Sequence, residues 1–162
     1  MFKNCIQYKK PEENSSPGLN IYHLPKAEIN IQEFENTVNK DPLVSVCIQT
    51  YQHGKYIAKC LDSILMQKTT FLFEIIVGED QSTDGTREIC IDYAKKYPDK
   101  IRLFLHSRET VIRINNIVTG RFNLLWNFSK ARGKYVAWCD GDDFWVNELK
   151  LQKQIDLLEN DR

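Results

Sequence analysis

Leu43-Val44-Ser45-Val46-Cys47-Ile48 is a short β-branched run, and in the segment Lys55 to Met66 that follows, Tyr56, Ile57, Cys60, Leu61, Ile64 and Leu65 recur along one helical face. A continuous apolar run followed by a 3.6-residue period reads as a strand buried on both sides that feeds an amphipathic helix. The same unit then repeats. Phe73 to Val77 is a second apolar strand, and Asp84 or Thr83 is placed to cap a helix with Ile89, Tyr93 and Ala94 inward, closed near Tyr97 by Pro98. Ile101 to Leu105 gives a third strand, Leu124 to Ala131 a helix ended by Gly133, and Tyr135 to Trp138 a fourth strand. Glu148 to Leu158 is a last helix, with Leu151, Ile155 and Leu158 aligned. Strands alternating with helices predict an α/β fold built on an open, mainly parallel sheet with right-handed crossovers. Residues 106 to 123 fit neither period and read as a long surface loop.

Outward from this core, the first forty residues carry Pro11, Ser15, Ser16, Pro17 and Gly18, a turn-rich stretch, and then a weak helical pattern of Ile31, Phe34 and Val38. Residues 1–40 are therefore expected to form an appendage, partly irregular. Asp41-Pro42 marks the entry to a domain over 41–162, because the residue before a proline is pushed out of the helical region. Lysine plus arginine number 22 and aspartate plus glutamate 22, for a formal charge of zero. Without a basic stripe to track phosphates, nucleic acid is not the expected partner. The apolar share of 42% and charged share of 27% are those of an ordinary globular chain. No apolar run is long enough for a bilayer, and the first ten residues hold no signal-peptide core. The five cysteines contain no Cys-x-x-Cys pair and read as reduced core thiols, which points to a cytoplasmic protein.

In open parallel sheets, ligands bind beyond the carboxyl ends of the strands, at the switch point in strand order. The first strand runs out in Gln49-Thr50-Tyr51-Gln52-His53, the second in Gly78-Glu79-Asp80-Gln81-Ser82 and the fourth in Cys139-Asp140-Gly141-Asp142-Asp143. The polar clusters therefore fall on one rim. Three carboxylates within Asp140-Gly141-Asp142-Asp143 repel one another unless a cation neutralises them, and oxygen donors favour a hard ion such as Mg2+ or Mn2+. The alternative is an Asp-Gly surface turn. An EF-hand is excluded, since Phe144 stands where the third ligand of that loop belongs. Asp80 reads either as an acceptor for the imide or amide edge of a nucleobase or as a carboxylate favoured by the dipole of the next helix. Asp84 reads as a cap, and Tyr51 as a base-stacking ring or simply a half-buried one. His23, His53 and His106 have no matched partner and are taken as ordinary, while Trp138 and Trp145 bracket the acidic cluster and are expected to wall it off from water.

Val44-Ser45-Val46-Cys47-Ile48-Gln49-Thr50-Tyr51, Cys60-Leu61-Asp62-Ser63-Ile64-Leu65-Met66-Gln67, Phe73-Glu74-Ile75-Ile76-Val77 with Glu79-Asp80 and Ser82-Thr83-Asp84-Gly85-Thr86, and Ala131-Arg132-Gly133-Lys134-Tyr135 leading into Asp140-Gly141-Asp142-Asp143-Phe144-Trp145 closely resemble the family 2 glycosyltransferases of GT-A fold. The ordered set of motifs is more specific than any one of them. The resemblance implies a Rossmann-like donor-binding domain that transfers a sugar from a nucleoside-diphosphate sugar, most simply a UDP-sugar, to a glycan or lipid-linked acceptor. It further implies inversion, dependence on Mg2+ or Mn2+, and a place in polysaccharide or glycoconjugate synthesis, in the cytoplasm or peripherally at the inner face of the membrane. Thr50, Tyr51 and Asp80 would hold the nucleobase, Asp140 and Asp142 would complete the nucleotide site, and Asp142 and Asp143 would take the metal.

Gln49 stands where the family usually has proline, Gln52 where asparagine is common and Glu79 where a second aspartate is common. Leu124 and Leu125 occupy the neighbourhood of the family's usual basic residue, leaving Arg108, Arg113 or Arg121 as substitutes. The family places its acceptor-activating carboxylate downstream of the acidic cluster, so no general base is assigned, and the chain reads as a donor-binding part ending before the acceptor-binding part. Two rival readings are a non-catalytic nucleotide-binding module and an aspartyl-phosphate phosphotransferase with its nucleophile at Asp140 and its general acid at Asp142.

Overall fold

The computed structural model describes residues 5–6, 31–110, 112–115 and 117–160. The turn-rich positions 11–18 and His23 lie outside the described residues. In chain order the elements begin with β1 (Cys5–Ile6), β2 (Gln32–Glu33), β3 (Val44–Thr50), α1 (Ile57–Leu65), β4 (Phe73–Glu79) and α2 (Thr86–Lys96). They continue with β5 (Ile101–Leu105), β6 (Ile112–Ile114), β7 (Ile117–Thr119), α3 (Arg121–Lys130), β8 (Tyr135–Asp140) and α4 (Lys150–Asn160).

Six strands form one sheet in the order β1-β8-β3-β4-β5-β2. The inner four run parallel, as expected of strands joined by helices, and short antiparallel strands close the two edges. Because β3 is flanked by β4 on one side and β8 on the other, the strand order reverses there, and the crevice beyond β3 and β8 is the topological switch point. All seven residues of β4 are buried, Glu74 and Glu79 through their pairs with Arg102 and Arg87, so the strand shows no alternation of apolar and polar residues.

Each strand divides its side chains between two cores. Val44, Val46 and Ile48 of β3 join Ile75 and Val77 of β4 under α1, α2 and α4, where Ile57, Leu61, Ile64, Cys90, Leu151 and Ile155 are buried. On the opposite face Cys47, Ile76, Phe104 and Val136 pack against Trp126 and Phe128 of α3. Trp138 and Trp145 fall to opposite faces of the sheet, Trp138 with the α3 side and Trp145 in the larger core, so they do not form a common wall around the acidic cluster. Cys47, Cys60, Cys90 and Cys139 are buried free thiols. Among the described residues no helix is long and apolar enough to cross a membrane.

Two expectations are corrected. Residues 31–40 contain no helix; Gln32–Glu33 instead pairs with Leu105 and Phe104 as an edge strand, while Phe34 packs on the main core and Val38 is buried. A two-residue strand has no period of its own, so its pairing was invisible in the pattern. Residues 106–123 are also not all loop. They hold a 3-10 turn at Arg108–Thr110 and the antiparallel hairpin β6-β7, and α3 starts at Arg121 rather than Leu124. The earlier start brings Asn123 onto the buried face of α3, where two polar residues, Asn123 and Asn127, had masked the helical period.

Candidate functional site

The three polar strand ends meet. Gln49, Thr50, Tyr51 and His53 after β3, Asp80 after β4, Asp140 and Asp142 after β8, and Gly120 and Asn123 at the start of α3 line one cleft of about 270 Å³. Backbone bonds hold the strand ends together: the Asp80 amide donates to the Thr50 carbonyl at 3.1 Å, and the Gly141 amide to the Gln49 carbonyl at 3.0 Å.

The Ser82-Thr83-Asp84-Gly85-Thr86 stretch joins the first two rims. Ser82 Oγ accepts from the Gln52 amide at 2.9 Å, Thr86 Oγ1 from the His53 amide at 2.8 Å and Asp84 Oδ2 from the Gly54 amide at 2.9 Å. Asp84 Oδ1 also accepts from the Thr86 amide and hydroxyl, and this hydroxyl bond first of all lowers the Asp84 pKa. Asp84 therefore ties the helix entry to the neighbouring loop, in keeping with a structural role. The tight approach is possible because residue 54 is glycine; a Cβ there would lie 2.5 Å from the Asp84 carbonyl oxygen. Gln52 and Gln81, next to Tyr51 and Asp80, adopt φ of 56° and 57°. Left-handed backbone at non-glycine residues is a strained conformation that clusters at binding sites.

Asp80 is 4% exposed. Its position is set by Glu79, a fully buried carboxylate that pairs with Arg87 and accepts from the Ser82 amide at 2.6 Å. Burial raises the Asp80 pKa above its ordinary value, and the nearby Arg108 guanidinium opposes that rise. Arg108 Nη1 is 2.9 Å from Asp80 Oδ2, and its guanidinium carbon stands 3.8 Å from the centroid of the Tyr51 ring. Arg108, one of the arginines offered as substitutes for the missing basic residue, is thus built into the rim.

At the acidic end, Gln49 Nε2 donates to Asp140 Oδ1 at 2.6 Å. Gly141 lets the chain pass close to the first rim, since a Cβ there would lie 2.6 Å from Thr50 Oγ1 and 2.7 Å from His53 Nδ1. Asp140 and Asp142 line the cleft, whereas Asp143 is exposed outside it, with its amide donating to the Asp140 carbonyl at 2.9 Å. Among the described residues no set of three or more His, Cys, Asp or Glu side chains converges on one point. Two neighbouring carboxylates nonetheless fit a hard divalent cation that takes the rest of its shell from a diphosphate and water.

Sequence reasoning missed Asn123, and His53 turns out to line the cleft with Nδ1 3.2 Å from Thr50 Oγ1. Asn123 Nδ2 donates to the Gly78 carbonyl at 2.7 Å, and Asn127 Nδ2 donates to the Ile48 carbonyl at 2.9 Å and to Asn123 Oδ1 at 3.1 Å. The two asparagines thereby lock α3 onto β3 and β4. A polar residue every four positions on a buried face was the available signal.

The family model described as "Glycosyl transferase family 2" matches residues 45–162. The uncharacterized protein Rv1520 of Mycobacterium tuberculosis is 38% identical over 116 residues, covering 72% of this chain and 31% of that protein. The putative teichuronic acid biosynthesis glycosyltransferase TuaG of Bacillus subtilis is 34% identical over 121 residues, covering 74% of this chain and 43% of that protein. The chain thus spans less than half the length of either relative. Among solved structures, S. aureus TarS 1-349 in complex with UDP-GlcNAc matches with a TM-score of 0.54 and 28% identity, over 72% of this chain and 31% of that one. The mannosyltransferase PcManGT from Pyrobaculum calidifontis, solved with GDP-Man and Mn2+, shares the fold at a TM-score of 0.52 and 24% identity, over 76% of this chain and 33% of that one.

Proposed function

The chain belongs to glycosyl transferase family 2, and we propose that it carries the donor-binding site of an enzyme that transfers a sugar from a nucleoside-diphosphate sugar to a glycan or lipid-linked acceptor. The observation that carries this reading is the cleft at the switch point, where Tyr51 and Asp80 stand at one end and Asp140 and Asp142 at the other. An aromatic ring beside a buried carboxylate suits a nucleobase, which offers a π-face and N–H donors. Thr50 borders the same end. A carboxylate pair at the opposite end suits ribose hydroxyls and a cation-bound diphosphate. A UDP-sugar is the donor we favour, in line with the UDP-GlcNAc complex of the similar TarS.

Within this reading Asp140 has one oxygen engaged by Gln49 and offers the other to a ribose hydroxyl. Asp142, with Asp143 beside it, would hold Mg2+ or Mn2+. Such a cation, when bound, neutralises charge on the departing diphosphate. Transfer would proceed with inversion in polysaccharide or glycoconjugate synthesis, at the cytoplasmic side of the membrane. No residue of the cleft is assigned as the base that activates the acceptor.

Isothermal titration of the chain with UDP, with and without Mn2+, tests the site. Saturable, metal-enhanced binding that is lost in the folded Asp142→Ala/Asp143→Ala variant is the expected result. Absence of binding by folded wild-type protein would reject UDP as its ligand.

A further inference from the structure

We infer that Arg108 is a built-in competitor for the nucleobase and thereby a specificity-determining residue of the base end of the cleft; this rests on the donor-site reading above. The guanidinium satisfies both partners that a base would need. It lies 3.8 Å from the centroid of the Tyr51 ring and donates to Asp80 Oδ2 at 2.9 Å. The same planar group thus covers one face of the ring and reaches Asp80. A base that stacks on that face while donating an N–H to Asp80 must take the space of the guanidinium.

The arrangement is anchored as well as occupied. The Arg108 amide donates to Gln81 Oε1 at 2.8 Å, which holds the start of the 3-10 turn beside Asp80. The side chain is 30% exposed against 5% for Asp80, so the arginine can swing outward into water while the carboxylate stays in place. Asp80 is also too buried to be left unpaired without cost. Arg108 supplies its partner until a ligand does, and a base able to replace that partner must itself donate an N–H. A uracil imide or a guanine lactam edge meets that demand, whereas an edge presenting only acceptors to Asp80 leaves the carboxylate unpaired.

The test is titration of folded wild type, Arg108→Ala and Arg108→Met with uridine and with UDP, the nucleoside isolating the base end from the phosphates. Emptying the position is expected to tighten both ligands by a similar factor, about fivefold to tenfold, the latter equivalent to about 1.4 kcal/mol. Unchanged or weaker binding of uridine in the variants would overturn the inference while leaving the site reading intact. Weaker binding of UDP with tighter uridine would likewise count against it, as Arg108 would then hold phosphate. If neither wild type nor variants bind either ligand, the reading of the cleft itself fails, and the competitor with it.

Discussion

Gln49 and Asp140 sit opposite each other in the register of the parallel pair β3-β8, and the Gln49 amide nitrogen donates to the Asp140 carboxylate at 2.6 Å. A carboxylate accepts only, so the amide must present its nitrogen, and one Asp140 oxygen is committed. Gln49→Leu is expected to release Asp140 and weaken UDP binding about fivefold, on the order of 1 kcal/mol, with little change in melting temperature. Calorimetric titration alongside a thermal melt measures both, and unchanged affinity would show that the bond does not orient the carboxylate.

A Cβ built on Gly78 would lie 1.8 Å from Asn123 Oδ1 and 2.7 Å from Asn127 Oδ1. Gly78→Ala must push α3 off the sheet or break its asparagine contacts, at a cost of about 2–3 kcal/mol. Urea denaturation of Gly78→Ala, Asn123→Ala and the double variant gives the cycle. The double variant is expected to be less destabilised than the sum of the two, since truncating Asn123 removes the clash; simple additivity would mean the clash is relieved elsewhere.

His106 is 2% exposed and edge-on to Phe122 and Trp126, and neither ring nitrogen has a hydrogen-bond partner among the described residues. Burial first, and then the Arg87 charge, pushes its pKa from 6.5 down to about 4. The unfolded chain therefore binds a proton between pH 6.5 and about 4 that the folded chain refuses, so stability falls as pH drops through that window. Full protonation costs about 3 kcal/mol. His106→Phe should keep stability near wild type at pH 7.5 and flatten the acid limb of the curve. Denaturation midpoints at pH 7.5 and pH 4.5 decide it, and an equal acid loss in both proteins would assign the effect to other groups.

Glu79 has no exposed surface and pairs with Arg87 while accepting from the Ser82 amide. Arg87 is 27% exposed and keeps its bond to the His106 carbonyl, so Glu79→Ala, which removes two charge-assisted hydrogen bonds, should cost about 2–3 kcal/mol. The loop carrying Asp80 should loosen with it. Hydrogen exchange at the Ser82 amide is the readout, expected to accelerate more than that of the β4 core amides; uniform acceleration would indicate global destabilisation alone.

Much of this molecule is legible in its sequence. Ile101–Leu105 reads as a strand and is one; the strands at Val44 and Phe73 run only two residues further than their apolar patterns, because Gln49, Thr50, Gly78 and Glu79 continue the ladder with side chains that break the hydrophobic run. Strand direction put the polar strand ends on one rim, and Thr50, Tyr51, Asp80, Asp140 and Asp142 line one cleft there. The same reasoning missed Asn123, since the helix was read from Leu124 and Asn123 fell in the stretch taken for a loop. Nor could it choose among Arg108, Arg113 and Arg121, since a long cation can reach in many directions.

The sequence by itself determined the alternation of strands and helices and the rim on which the polar ends collect, because hydrophobic period and strand direction are local properties of the chain. Only the tertiary structure decided that β1 and β2 close the sheet edges, that α3 docks through two asparagines, and that Arg108 lies between Tyr51 and Asp80. Those contacts join residues far apart in sequence, and their geometry comes from the register of the sheet and the close approach that Gly54, Gly78 and Gly141 permit.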